Sequence, residues 1–327
     1  MSIDEFLAEW HNDSPLLLVH TSGSTGTPKP MWVEKQRMLA SARITCDFLG
    51  LQPGDTALLC MSLDYIAGKM MVVRSLERNL NLITVPPSGH PLAHLPSLGG
   101  DGGGLTFAAM VPLQVYNSLK EPVERERLKS IRHLIIGGGA IDRSLAAELR
   151  DFPNYVWSTY GMTETLSHIA LRRLNGPEAS DWYTPFPSVS VSLNEDNCLV
   201  IDAPLVHDGS LQTNDIAELR DGRFRILGRK DNVICSGGIK IQIEEVERLL
   251  HEHTDIPLLI TKRPDTRLGE AVVLLTTATD TVSLRSICQQ VLPRFWQPRH
   301  YQTVAQLPLT ETGKPARKEA EQLANLS

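Results

Sequence analysis

A short apolar run that leads into a glycine-bearing loop and then a helical stretch recurs through the first half of this chain, and no other feature narrows the fold as much. The run Leu16–His20 leads into Thr21-Ser22-Gly23-Ser24-Thr25-Gly26-Thr27-Pro28-Lys29-Pro30, with a helix expected over residues 33–49. Similar runs lie at 56–61 and 82–85, and His133–Ile136 feeds Gly137-Gly138-Gly139-Ala140 and a helix expected over 142–150. Strands alternating with helices build an α/β core that takes its ligands at the loop ends of the strands. From residue 189 to 227 the texture changes to short alternating runs broken by Asn, Asp and Gly, the pattern of a small antiparallel β region. Beyond residue 231 come a strand, a turn at Ser236-Gly237-Gly238, a helix opened by Glu244 and Glu245, apolar runs at 256–261 and 271–277, and a helix near 284–292. These make a compact α+β unit, so the expected domains are residues 1–230 and 231–327.

The loop after His20 is suited to phosphate. Gly23 and Gly26 let backbone N–H groups turn inward, Thr21, Ser22, Ser24 and Thr25 add hydroxyl donors, and Lys29 brings a point charge. It is not the P-loop of NTPases, in which four residues separate the first glycine from a Gly-Lys-Ser/Thr ending; here Gly23 and Gly26 are three apart and Lys29 follows Pro28. A second polar segment, Ser158-Thr159-Tyr160-Gly161-Met162-Thr163-Glu164-Thr165, offers a flat ring, a glycine for close approach, hydroxyls, and a hard carboxylate ligand suited to Mg2+ on a phosphate. The glycine-rich stretch 98–104 reads as a mobile surface loop without chemistry.

Composition excludes several classes. A net charge of -6 over 327 residues argues against nucleic acid as a partner. No apolar run is long enough to span a bilayer, and the acidic start is unlike a signal peptide, so a cytoplasmic protein is expected. Cys46, Cys60, Cys198, Cys235 and Cys288 are scattered and odd in number, as expected of reduced packing residues.

In order and spacing these segments resemble the adenylate-forming superfamily of acyl-CoA synthetases, luciferases and adenylation domains. Two more support the resemblance: Gly228-Arg229-Lys230-Asp231 with its continuation to Glu247, and Leu307-Pro308-Leu309-Thr310-Glu311-Thr312-Gly313-Lys314. The resemblance implies ATP, Mg2+ and coenzyme A as ligands. It implies that residues 21–29 hold phosphates, that Gly138, Gly139 and Ala140 line the adenine, that Tyr160 and Gly161 lie against it, and that Thr163 reaches the α-phosphate. Glu164 would hold the metal, Asp215 and Arg229 the ribose, Asp231 would be the hinge, Gly237 and Gly238 would line the coenzyme A path, and Lys314 would serve adenylation. Within the superfamily the details resemble the o-succinylbenzoate-CoA ligases of menaquinone synthesis, with Arg74, and less strongly Lys69, implied as partners of the acid; a surface cation is the other reading of Arg74. Asp64-Tyr65-Ile66-Ala67 departs from the histidine-containing turn of that group. Typical members carry a long region before the phosphate loop, which this chain reaches by residue 20, so a flanking subdomain is expected to be missing or reduced. A ligase for another aryl or fatty acid, a carrier-protein adenylation domain, a non-catalytic nucleotide-binding or assembly protein, and a homo-oligomer all stay open.

Overall fold

A computed structural model of the chain describes residues 1–20, 30–96, 104–141, 143–310 and 314–326. Its largest element is a seven-stranded sheet in the spatial order Asn81–Thr84, Thr56–Leu59, Phe107–Met110, His133–Ile136, Tyr155–Gly161, His168–Arg173 and Thr184–Pro185. The first five strands are parallel and the last two antiparallel. Phe107–Met110 and His133–Ile136 are buried at every residue, as expected of central parallel strands covered on both faces. Sequence alone does not single out Phe107–Met110, because its two alanines lack the branched or aromatic side chains that mark a strand.

The α/β reading holds, but not for the first strand. Leu16–His20 lies outside the main sheet and pairs antiparallel with Pro30–Glu34, from Leu16 opposite Glu34 to His20 opposite Pro30. The helix expected from residue 33 therefore starts at Lys35, and residues 30–34 are extended. Pro30 has no N–H to give, which suits an outer strand, and the β-branched and aromatic Trp32 and Val33 favour the extended chain. The phosphate-loop segment 21–29 and most of the glycine stretch 98–104 lie outside the described residues. His20 and Pro30, which flank the former, face each other across the ribbon.

Helices Lys35–Leu49 and Ile66–Arg78 pack together under the main sheet. The first stops at Gly50, which takes the left-handed conformation and donates its N–H to Asp47 O. Residues 190–229 form a four-stranded antiparallel sheet whose last hairpin turns at Asp221-Gly222, both with positive φ, the requirement of a two-residue turn matched to strand twist.

A separate five-stranded sheet begins at Val233. Its central strands show strict alternation: Leu258, Ile260, Val272 and Leu274 pack with helices Ile243–His251 and Thr281–Val291, while Leu259, Val273 and Leu275 meet Ala320 and Ala324 of the helix Arg317–Asn325. Helices thus cover both faces.

Candidate functional site

Three loops that end neighbouring parallel strands lie side by side: Val111 and Pro112 after Met110, Gly137–Gly139 after Ile136, and Met162–Glu164 after Gly161. The glycines are needed there. A Cβ at Gly137 would lie 2.3 Å from Thr159 Oγ1, and one at Gly161 would lie 2.2 Å from Ser167 O. Gly138 has φ +79°, where a side chain is strained. The turn therefore presents bare backbone beside Tyr160, with Ala140 following it.

Tyr160 is held from several sides. Its ring meets Phe224 edge-on at 5.0 Å and tilts against Tyr183 at 5.8 Å, and its hydroxyl donates to Asp215 Oδ2 at 2.6 Å. Burial and the neighbouring Asp215 carboxylate push the phenol far above its ordinary range, so it is a fixed donor. Asp215 is buried, and its other oxygen accepts from Arg229 Nη1 at 3.1 Å. Each carboxylate oxygen keeps a further lone pair, enough to accept a pair of ligand hydroxyls. Arg229 Nη2 reaches Asp231 Oδ2 at 2.8 Å, and Asn214 Nδ2 donates to Asp231 Oδ1 at 3.0 Å. Gln242, across the short helix Lys230–Asn232, donates to the Arg229 carbonyl at 2.9 Å. Tyr183, Phe224, Asn214 and Gln242 are not singled out by sequence; Phe224 reads as an ordinary strand aromatic.

Lys314 comes to this cluster from the far end of the chain. Its Cγ lies 4.0 Å from where a Cβ on Gly139 would stand. Burial, then the nearby Arg229, lowers the pKa of its ammonium from the ordinary 10.5, while Asp215 opposes the shift. The loop carrying it is closed at its base by Thr310 N donating to Lys314 O at 2.7 Å and Lys314 N donating to Thr310 Oγ1 at 3.1 Å. Just beyond, Arg317 grips Glu247 with two nitrogens at 2.6 and 2.7 Å, which fastens the loop to the C-terminal sheet unit.

Thr163 is buried and Glu164 half-buried in the short helix Thr163–Thr165, whose turn is closed by Thr165 Oγ1 accepting from Met162 N at 3.0 Å. The Glu164 carboxylate has no hydrogen-bond or ion-pair partner among the described residues. No cluster of three metal-binding side chains occurs among them either. A single free carboxylate fits Mg2+, which keeps waters and takes its other oxygens from phosphates.

Gly237 and Gly238, with φ +59° and +82°, form the two-residue turn between Val233–Ser236 and Ile239–Gln242. Gly237 N donates to Leu268 O at 2.8 Å, so this turn lies against the Leu268 loop.

Arg74 is not a surface cation: it is 2% exposed, the bulkiest fully buried side chain of the described residues. Among the described residues its polar contacts are Ser167 Oγ at 2.5 Å and Met71 Sδ at 3.8 Å and its Nε has no acceptor, and burial brings its pKa down to about 10, still charged at neutral pH. Lys69, also buried, donates to Leu18 O at 2.8 Å and has its pKa lowered by burial. It lines an open cavity of about 340 Å³ with Leu18, His20, Asp64 and Tyr65. No helix among the described residues is long and apolar enough to cross a membrane.

The profile of a family described as "AMP-binding enzyme" matches residues 4–209. A 2-succinylbenzoate-CoA ligase of Salmonella typhimurium is 28% identical over 91% of this chain and 67% of its own length. The chain thus spans about two thirds of that curated relative. An acyl-CoA synthetase (AMP-forming)/AMP-acid ligase II-like protein of Dyadobacter fermentans is 32% identical, with 99% of this chain and 93% of that one covered and a TM-score of 0.65. A variant of E. coli MenE with bound OSB-AMS is 25% identical, with 95% and 70% covered and a TM-score of 0.77.

Proposed function

Because this chain belongs to the AMP-binding enzyme family, we propose that it is an ATP-dependent acid-CoA ligase whose acid is o-succinylbenzoate. The observation that carries the reading is the delivery of Lys314 to Gly139 beside Asp215 and Arg229. A carboxylate attacking the α-phosphate brings two anions together, and a half-buried ammonium between them lowers that repulsion and stabilises the charge of the transition state. Tyr160 would lie against the adenine between the Gly138–Gly139 turn and Phe224. Asp215, already oriented by Tyr160 and Arg229, would accept the ribose hydroxyls, and Thr163 would donate to the α-phosphate. Glu164 would hold Mg2+, which when bound neutralises phosphate charge. Residues 21–29 would wrap the leaving phosphates, for which Lys29 supplies charge.

The acid would enter from the side of Arg74 and Lys69. An unpaired buried guanidinium is costly in the free protein and is relieved by an anion, so it suits the second carboxylate of a dicarboxylate. Residues 1–230 and 231–327 would act as two domains turning about Asp231, which withdraws Lys314 and brings the Gly237-Gly238 hairpin to the site for coenzyme A. The thiolate would then attack the acyl-adenylate to give thioester and AMP, so that one site serves both reactions.

The test is acid-dependent exchange of labelled pyrophosphate into Mg-ATP, with o-succinylbenzoate, benzoate and a medium-chain fatty acid compared. Exchange with o-succinylbenzoate alone is expected. Exchange with another acid alone would overturn the substrate, and no exchange with any of them the ligase reading.

A further inference from the structure

Arg74 stands at the head of a directed hydrogen-bond chain. Thr45, in the helix Lys35–Leu49, donates its hydroxyl to Ser41 O at 3.1 Å, one turn back. That commits its only proton, so toward His168 Nε2, 3.1 Å away, Thr45 acts as acceptor. His168 therefore carries its proton on Nε2, which leaves Nδ1 to accept from the Ser167 hydroxyl at 3.2 Å. Ser167, its own proton committed, offers a lone pair to Arg74 Nη2 at 2.5 Å. Every proton has one destination, and the direction runs from Arg74 to the Ser41 carbonyl.

The chain is sealed along most of its length. Arg74, His168, Thr45 and Ser41 are buried, and Ser167 alone is half-buried. Burial, then the Arg74 charge, holds the His168 pKa well below its ordinary value, so the neutral tautomer persists. Were Ser167 free to rotate, its proton could point at the guanidinium and the contact would turn repulsive. With His168 in place, Arg74 Nη2 is tied while Nε has no partner among the described residues.

We propose that Ser167, His168 and Thr45 are positioning residues that hold the Arg74 guanidinium in one orientation, so that an anionic group on the acid meets a fixed fork of donors. The inference rests on the reading of Arg74 as the cation for a second carboxylate. Arg74 and Ser167 are 93 residues apart, and Thr45 and His168 123, so only the packing of the helices beneath the main sheet brings them together.

The test is steady-state kinetics with o-succinylbenzoate varied at saturating Mg-ATP and coenzyme A. It compares wild-type with Ser167→Ala, His168→Leu, His168→Asn, Arg74→Ala and the double variant Ser167→Ala/Arg74→Ala. Loss of a bond to a charged group is expected to raise the acid KM about tenfold in Ser167→Ala and His168→Leu, with the ATP KM unchanged. His168→Asn keeps an acceptor near the position of Nδ1 and is expected to recover most of that loss. The double variant is expected to be no worse than Arg74→Ala alone. An unchanged acid KM in Ser167→Ala, or effects of Ser167→Ala and Arg74→Ala that multiply, would overturn the positioning role while leaving Arg74 its own. An unchanged acid KM in Arg74→Ala would overturn Arg74 as the acid's partner and the chain's role with it, as would a wild-type protein that uses only a monocarboxylate. If His168→Leu does not fold, Ser167→Ala and the double variant decide the question.

Discussion

The sides of this molecule proposed for the nucleotide and for the acid solve the problem of holding charge in opposite ways. On the nucleotide side Tyr160, Asp215, Arg229, Asp231 and Asn214 satisfy one another without ligand, in contacts of 2.6 to 3.1 Å. On the acid side Arg74 is buried with no carboxylate within reach among the described residues, and an uncharged Ser–His–Thr chain supports it. Prepaired groups set geometry with little strain on the free protein. An unpaired buried charge instead trades stability for selectivity, because it is relieved only when the matching anion arrives.

Lys314→Ala should give the largest effect, on the nucleotide side. Pyrophosphate release should fall about a thousandfold, while thioester formation from supplied acyl-adenylate is spared; equal loss of both half-reactions would break the assignment. In the proposed mechanism the ammonium is the active form, and burial lowers its pKa, so adenylation should fail with rising pH along a limb below the 10.5 of an ordinary lysine. A pH–rate profile flat to 10.5 would contradict that. Asp215→Ala removes the acceptor of both Tyr160 and Arg229 and should raise the ATP KM by roughly tens-fold while leaving the acid KM alone; isothermal titration with ATP checks it.

Arg74→Met sharpens the contrast most. It should raise the acid KM about tenfold, yet in the absence of acid it should stabilise the fold by about 1 kcal/mol or more, since a well-packed apolar side chain replaces an unpaired buried charge. A lower melting temperature would mean that the guanidinium is structurally satisfied. The smallest effect belongs to Gly238→Val, which forces a branched side chain to φ +82°. It should cost roughly 1 kcal/mol in denaturant unfolding, and a loss of thioester formation with pyrophosphate release intact would support the coenzyme A path.

Much of the proposed nucleotide side is legible in the sequence because its members sit in contiguous motifs: Gly138-Gly139 beyond a strand, Tyr160 to Glu164 in one run, Arg229 and Asp231 two apart, Lys314 at the end of a polar turn. What places Lys314 over Gly139 is the anchoring of its loop by Arg317 and Glu247, which are 70 residues apart and carry no local signal. The strand Leu16–His20 is legible as a strand, but its partner is not. Pro30–Glu34 reads as the approach to a helix until its register against residues 16–20 is known. Tyr183 and Phe224 go unnoticed for the same reason, since nothing near them in sequence says that they pack on Tyr160. The acid side is legible only at Arg74, and even there burial separates a core cation from a surface one.

The most direct test of the account is mass spectrometry of the products formed from Mg-ATP, coenzyme A and o-succinylbenzoate, beside a no-acid control and the Lys314→Ala variant. The expected result is AMP and the o-succinylbenzoyl thioester from wild-type protein, and neither from the variant or the control. AMP and thioester from Lys314→Ala at the wild-type rate, or no adenylate and no thioester from wild-type protein, would contradict it.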